Sequence, residues 1–287
     1  MPEHMRDIKR RIRSIKNTQQ ITKAMEMVAA ARLRRAQDKV AAARPYAREI
    51  REMIRRVVCT LEEVTHPLLV PRERRCVGYV VFTSDRGLCG AFNAHVIRRT
   101  QVQLAEEGEK GLIVVGRKGR DYFRRRGFTF LAEFLALGDD PTLAQAQGIA
   151  RTLISLYEGN ILDEINLIYT EFISVGRQRP VVARLLPVEP FTFEEGEREQ
   201  MRDYLFEPDP EAVLEMLLPR FIESQLYLAL LEAKASEHAA RMLAMGNATE
   251  NAGEMIRQLT LSFNKARQAA ITKEIAEIVG GAEALKG

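Results

Sequence analysis

The segment 264–287, NKARQAAITKEIAEIVGGAEALKG, decides how the whole chain is read. It has the composition of a helix, yet its apolar residues do not keep to one side. Ala269, Ala270, Ile271, Ile275, Ala276, Ile278, Val279, Ala282 and Leu285 spread around the cylinder. A helix that is apolar all round is normally buried. Working back from it, the same helix extends to Asp209-Pro210, an N-cap followed by a residue suited to the first helical position. Between these ends, Leu217, Phe221, Ser224, Leu228, Leu231, Ala235, His238, Met242, Met245, Thr249, Ala252, Ile256, Leu259, Phe263 and Ala266 recur in steps of four and three. That spacing is a coiled-coil seam. Gly246 and Gly253 each cost about 1 kcal/mol relative to Ala, so the helix is expected to loosen near 245–255.

A second seam runs through residues 4–64. Leu33, Ala36, Val40, Ala43, Ala47, Ile50, Ile54, Val57, Leu61 and Val64 continue a pattern begun by Ile8, Ile12 and Ile15. Between them lie Thr18, Thr22, Met25 and Ala29, and seam residues this small imply close approach of two backbones. Pro45 predicts a local kink. Two helices leaving one domain and pairing must be antiparallel. Setting residue 57 against residue 209 makes partner numbers sum to about 266, with Ile8 near Gln258 and Met25 near Arg241. At ~1.5 Å per residue the second helix then overhangs the first by roughly 20 residues, or about 30 Å. The overhang is the segment quoted above. It has no partner within the chain, so its shelter must come from other chains.

The middle of the sequence has a different texture. CVGYVVFTS (76–84), GLIVVG (111–116), FTFLAEF (128–134), EINLIYTEFIS (164–174) and RPVVARLLPV (179–188) read as strands. Helical stretches at about 91–107, 118–126 and 141–158 separate them, the last opened by Asp140-Pro141. This alternation predicts an α/β fold with a Rossmann-like, mostly parallel sheet. The domain layout is therefore a coiled-coil helix over 1–64, an inserted α/β domain over 75–205, and a second coiled-coil helix over 209–287.

Composition narrows the function classes. The chain is 46% hydrophobic and 29% charged, a globular balance. No apolar run is long enough to span a bilayer, and no secretory signal is read. Residues 5–16 imitate an Arg-rich transit peptide, but their pattern continues unbroken into structural helix. Cys59, Cys76 and Cys89 form no framework and favour a reducing compartment. His4, His66, His95 and His238 are scattered, with no metal spacing. Residues 1–56 carry 16 Lys and Arg against 6 Asp and Glu, so a basic helix seeks an acidic partner or a polyanion. SDRGLCGAFN (84–93) joins the first strand to the first helix, where many α/β folds bind phosphates. It lacks both G-x-G-x-x-G and G-x-x-x-x-G-K-[ST]. It is read either as a tight turn with Gly87 and Gly90 in special conformations or as a loop offered to a partner. GRKGRDYFRRRG (116–127) is strongly basic, yet few aromatic groups accompany the charges. Nothing near Cys89 in sequence would activate it as a nucleophile. No catalytic residue, cofactor site or metal site is read.

Three long motifs resemble a known family. MRDIKRRIRSIKNTQQITKAMEMVAAARLRRAQ (5–37) is similar to the N-terminal signature of the gamma subunit of F-type ATP synthases. SDRGLCGAFN resembles that family's central loop, and 235–256 and 259–285 resemble its C-terminal helix. The resemblance covers essentially the whole chain in order. It implies a non-catalytic rotor shaft, its two terminal helices turning inside a ring of alternating alpha and beta subunits. It also implies an α/β domain resting on a c-subunit ring with an epsilon subunit at its side. Rotation of the c ring would drive the beta subunits, which carry the catalytic sites, through states that bind, form and release ATP. By resemblance, Met25 would face an acidic segment of beta, with Lys9, Arg10, Lys16 and Lys23 supplying opposite charge. Asp85, Arg86 and Cys89 would approach the same segment. Arg267 and Gln268 would meet a loop of beta, with Arg241 and Thr272 nearby. Tyr204, Phe206 and Glu207 would lie at the foot, near the c ring and epsilon. The implied location is peripheral, on the cytoplasmic face of a bacterial cell membrane, or alternatively on the matrix side of the mitochondrial inner membrane, with membrane contact only through partners. No chloroplast-type cysteine pair occurs in 191–210. Without the resemblance, a nucleic-acid-binding coiled coil and an α/β enzyme with helical oligomerisation arms remain open.

Overall fold

The computed structural model describes residues 3–61, 65–189 and 206–284. Helix α1 spans Glu3–Thr60. Five strands follow in chain order: β1 (Cys76–Phe82), β2 (Glu109–Val115), β3 (Ala132–Phe134), β4 (Glu164–Ser174) and β5 (Arg177–Leu186). Helices α2 (Phe92–Leu104), α3 (Arg117–Arg124) and α4 (Leu143–Glu158) lie between them, and α5 runs over Pro210–Ala284. Asp209 caps α5 as expected, its Oδ1 accepting from the backbone N–H of Ala212 at 2.7 Å. The start of α4 differs from the reading. Its cap is Thr142, in a reciprocal capping box with Gln145, and the Asp140 carboxylate is engaged elsewhere.

The chain divides into two compact units. The first, residues 29–241, holds the sheet and the adjoining parts of α1 and α5. Strand order is β3-β2-β1-β4-β5, with β1 to β4 parallel and β5 antiparallel to β4. Alternation along β1 explains the layering. Val77, Tyr79 and Val81 pack with Val96 and Ile97 of α2 and Phe123 of α3. Val80 and Phe82 join the larger core, with Ile149 and Leu153 of α4, Ile50, Ile54 and Val57 of α1, and Leu218, Phe221 and Ile222 of α5. Strand 128–134 is shorter than predicted. Only Ala132–Phe134 forms a strand, beside Ile113–Val115, with Leu131 N–H donating to the Leu112 carbonyl just before it and Phe128 N–H turned back to the Phe123 carbonyl. Gly116, at the end of β2, has φ 94°, and a Cβ there would lie 2.1 Å from the Thr83 carbonyl oxygen, so only glycine fits.

The second unit joins α1 up to Val28 with α5 from Met242 onward. The helices run antiparallel. Gln19 Nε2 donates to the Thr249 carbonyl at 3.3 Å, and the Thr249 hydroxyl donates to Thr22 Oγ1 at 2.8 Å. Gly253 lies close against α1, where a Cβ would sit 3.0 Å from Gln19 Nε2, whereas one on Gly246 would make only ordinary contact, 3.7 Å from Glu26 Cδ. The expected loosening at these glycines does not occur, since helix continues through both. The contacts also shift the register by about one turn. Partner numbers sum to between 268 and 272. Met25 therefore lies level with Gly246–Asn247 rather than Arg241, and Ile8 with Phe263 rather than Gln258. Anchoring the register where the two helices meet the α/β domain misses this, because the contacts of Gln19 and Thr22 with Thr249 set it. Helix also runs unbroken through Pro45.

Candidate partner-binding surfaces

The first surface lies where β1 gives way to α2. Ser84 and Asn93 close the loop: Ser84 N–H donates to Asn93 Oδ1 at 2.9 Å, and Asn93 Nδ2 donates to Ser84 Oγ at 2.8 Å. The Ser84 hydroxyl donates to the Arg86 carbonyl at 2.6 Å. Left-handed backbone falls at Leu88 (φ 63°) and Gly90 (φ 54°), not at Gly87. A leucine is strained in that region, and this one also points into solvent, 61% exposed. Sequence reasoning missed Leu88, because only its backbone angle marks it. Of the expected residues, Arg86 is exposed and Asp85 half-buried. Cys89 is buried, contacts Asn93 Nδ2 at 3.2 Å, and has its thiol pushed up by burial, so it steadies the loop as a neutral packing group.

Arg241 reaches this loop from α5, donating to the Gly87 carbonyl at 3.3 Å. It belongs to a buried charge cluster that the seam pattern concealed. Lys234 Nζ and Arg241 Nη2 hold opposite oxygens of Glu237 at 2.9 and 2.8 Å. The three are 8%, 8% and 3% exposed respectively. His238, fully buried beside Arg241, has its pKa lowered chiefly by burial, with Glu237 opposing.

The second surface is the paired helical tip. Lys9, Arg10, Lys16 and Lys23 are exposed on α1, although Arg10 pairs with Asp7 at 3.0 Å and Lys23 with Glu26 at 3.2 Å. Met25 is half-buried. Arg267, Gln268 and Thr272 are all exposed on α5, the last two sharing a face at i, i+4. From Ile271 to Gly281 every residue is exposed. Ile271, Ile275, Ile278 and Val279 show between 48% and 71% of their surface to solvent. At the foot, Phe206 packs partly against the core and Glu207 is exposed, while Tyr204 lies outside the described residues. Among the described residues no helix is long and apolar enough to cross a membrane.

Comparison with known proteins decides what these surfaces belong to. The profile of the family described as ATP synthase matches residues 4–285. The ATP synthase gamma chain of Moorella thermoacetica is 56% identical over 284 residues, spanning 99% of both chains. That of Heliobacterium modesticaldum is 54% identical, covering 98% of this chain and 99% of the relative. The chain belongs to the gamma-subunit family of F-type ATP synthases. Solved structures agree in fold. A Tetrahymena thermophila mitochondrial ATP synthase central stalk and c-ring structure superposes with TM-score 0.60 at 26% identity, covering 79% of this chain and 99% of that one. A chain of the Euglena gracilis mitochondrial enzyme reaches 0.70 at 21% identity, covering 99% and 95%.

As a gamma subunit the chain is a rotor component of the central stalk, and the nucleic-acid reading of its basic helix is not supported. The 84–93 loop also serves a neighbouring helix in this gamma subunit. Three groups already serve the N-terminus of α3. Asp85 Oδ1 accepts from Arg117 N–H at 3.1 Å, the Ser84 carbonyl from Lys118 at 3.0 Å, and Thr83 Oγ1 from Gly119 at 2.8 Å. A carboxylate therefore answers the end of α3, the helix after β2, whereas the first βα turn leads into α2, whose N-cap Ala91 makes no side-chain capping bond.

Proposed function

We propose that this gamma subunit turns inside a ring of alpha and beta subunits and couples rotation of a c-subunit ring to the catalytic states of beta. The observation that carries this is the bare end of α5. Four aliphatic side chains from Ile271 to Val279 stay 48% to 71% exposed on a helix that continues past the start of α1. Completing their burial would contribute about 1 kcal/mol each, a driving force that only other subunits can satisfy. An apolar sleeve makes few directional bonds, so the helix can rotate within it without deep trapping. A rotor biases its surroundings only by touching their states unequally. The asymmetric distribution of Lys9, Arg10, Lys16, Lys23 and Met25 on α1, and of Asp85, Arg86 and Leu88 on the loop, supplies such inequality against an acidic segment of beta. Arg267, Gln268 and Thr272 would engage a second beta loop, with Arg241 and Cys89 holding the 84–93 loop in place. Tyr204, Phe206 and Glu207 would meet the c ring and epsilon.

On this reading the division into two terminal coiled-coil helices and a central α/β domain follows function, the catalytic sites belong to beta, and the chain needs no cofactor of its own. It is held at the cytoplasmic face of a bacterial membrane through its partners. Affinity purification of the tagged chain from detergent-solubilised membranes tests this. Recovery of an ATP-hydrolysing assembly with alpha, beta, epsilon and c subunits is expected. Recovery of the chain alone, or with nucleic acid, would overturn the reading.

A further inference from the structure

Within the unit formed by residues 29–241, one polar path connects four segments that are distant in sequence. Arg241, held by buried Glu237, donates from α5 to the Gly87 carbonyl of the β1–α2 loop. Two residues earlier in that loop, Asp85 Oδ1 accepts from Ala136 N–H at 3.4 Å, bonding it to the β3–α4 loop. That loop in turn reaches α1, through Asp139 Oδ2 to Arg32 Nη1 at 2.6 Å and through Asp140 to Lys39.

Two clefts flank this path. One, of about 300 Å³, is lined by Asp85, Arg86, Arg117, Asp139, Lys234 and Glu237 among others. The other, of about 180 Å³, is lined by Arg32, Arg35, Asp140 and Lys234 among others. Apolar packing joins the helices to the sheet around Ile54, Val57, Leu218 and Ile222. The same core follows α5 as far as Leu230 and Ala233, while beside the clefts α1 meets the β3–α4 loop through the Arg32 and Lys39 ion pairs. We infer that Asp139 and Asp140, through Arg32 and Lys39, are positioning residues that fix α1 against the α/β body, so that torque passes from body to helix without slack. This rests on the rotor reading above and adds to it a specific site of mechanical transmission.

A bland alternative is available: half-exposed ion pairs often contribute little to stability. The two differ in what they predict. An ornamental pair leaves coupling unchanged when removed, whereas a tether loosens transmission without touching chemistry on the partner subunits. Inverted membrane vesicles carrying the assembled enzyme would be prepared with the wild-type chain, Asp139→Asn with Asp140→Asn, Arg32→Asp, and the exchanged pair Arg32→Asp with Asp139→Arg. ATP hydrolysis and ATP-driven proton uptake would be measured together. Hydrolysis within about twofold of wild type is expected throughout, with proton uptake per ATP falling at least about twofold in the first two variants and recovering in the exchanged pair. Unchanged uptake per ATP in the double Asn variant, or no recovery in the exchanged pair, overturns the inference. The rotor reading fails separately, if vesicles lacking the chain pump as well as wild type. Should a variant not assemble, deuterium uptake by 135–142 in the full-length chain decides. Uptake up to about tenfold faster than wild type supports the tether, and unchanged uptake removes it.

Discussion

Replacing Glu237 by Gln tests the buried charge cluster directly. Glu237 is 3% exposed and is the shared anion between Lys234 and Arg241, each 8% exposed. The substitution keeps the side chain's shape and leaves one carbonyl oxygen to accept a hydrogen bond. It removes the only charge in the trio that offsets two buried cations. Breaking such a cluster costs about 3–5 kcal/mol, and the retained acceptor places this case near 3 kcal/mol. All seven tyrosines fall between residues 46 and 227, so tyrosine emission during urea unfolding reports the 29–241 unit. With a slope of about 2–3 kcal/mol per molar, the midpoint should fall by roughly 1 M. A companion variant, Lys234→Met with Glu237→Leu and Arg241→Met, removes all the charges together and should recover to within about 1 kcal/mol of wild type. A loss under about 1 kcal/mol in Glu237→Gln, or an equal loss in the triple variant, would show that unpaired charge is not what the cluster guards against.

Further outcomes follow from other parts of the molecule. Gly246→Ala meets only ordinary contact with Glu26, so it should stabilise the paired tip by about 0.5–1 kcal/mol, seen as slower amide exchange over 242–256. The lowered pKa of His238 means that the unfolded chain binds a proton first. Its contribution is fully present above the ordinary value of 6.5 and is lost as pH falls below it. His66 acts in the same direction, and buried Glu232, raised chiefly by burial despite Arg44, acts oppositely above its usual 4.5. The difference between wild type and His238→Gln in urea midpoint, at pH 7.5 and 5.5, should therefore isolate a decrement at the lower pH in wild type alone. Deleting 267–287 should leave the tyrosine-reported transition in place while assembly or torque in the synthase drops; a shifted transition would mean the tip supports the body.

Heptad spacing and strand texture made most of the fold legible. The seams of α1 and α5, the five strand segments and the helices between them can all be read from local periodicity, because each buries a stripe or face that its own residues define. What could not be read depends on contacts between distant segments. Lys234, Glu237 and Arg241 look like exterior helix charges by type, and only contacts from segments distant in sequence, such as the Gly87 carbonyl on Arg241, make them interior. The register of the paired helices rests on Gln19, Thr22 and Thr249, polar contacts that heptad spacing does not mark. The shortness of β3 follows from the turn after α3, where Phe128 N–H donates to the Phe123 carbonyl instead of to β2. Leu88 betrays itself only through its backbone angle.

The carboxylate of Asp85 carries a consequence for how information moves in this enzyme. By answering the end of α3 itself, it bolts the β1–α2 loop to the third helix and, through Ala136, to the stretch before α4. A shove arriving at Arg86 or Leu88 is therefore shared among three segments of the body instead of bending one loop alone.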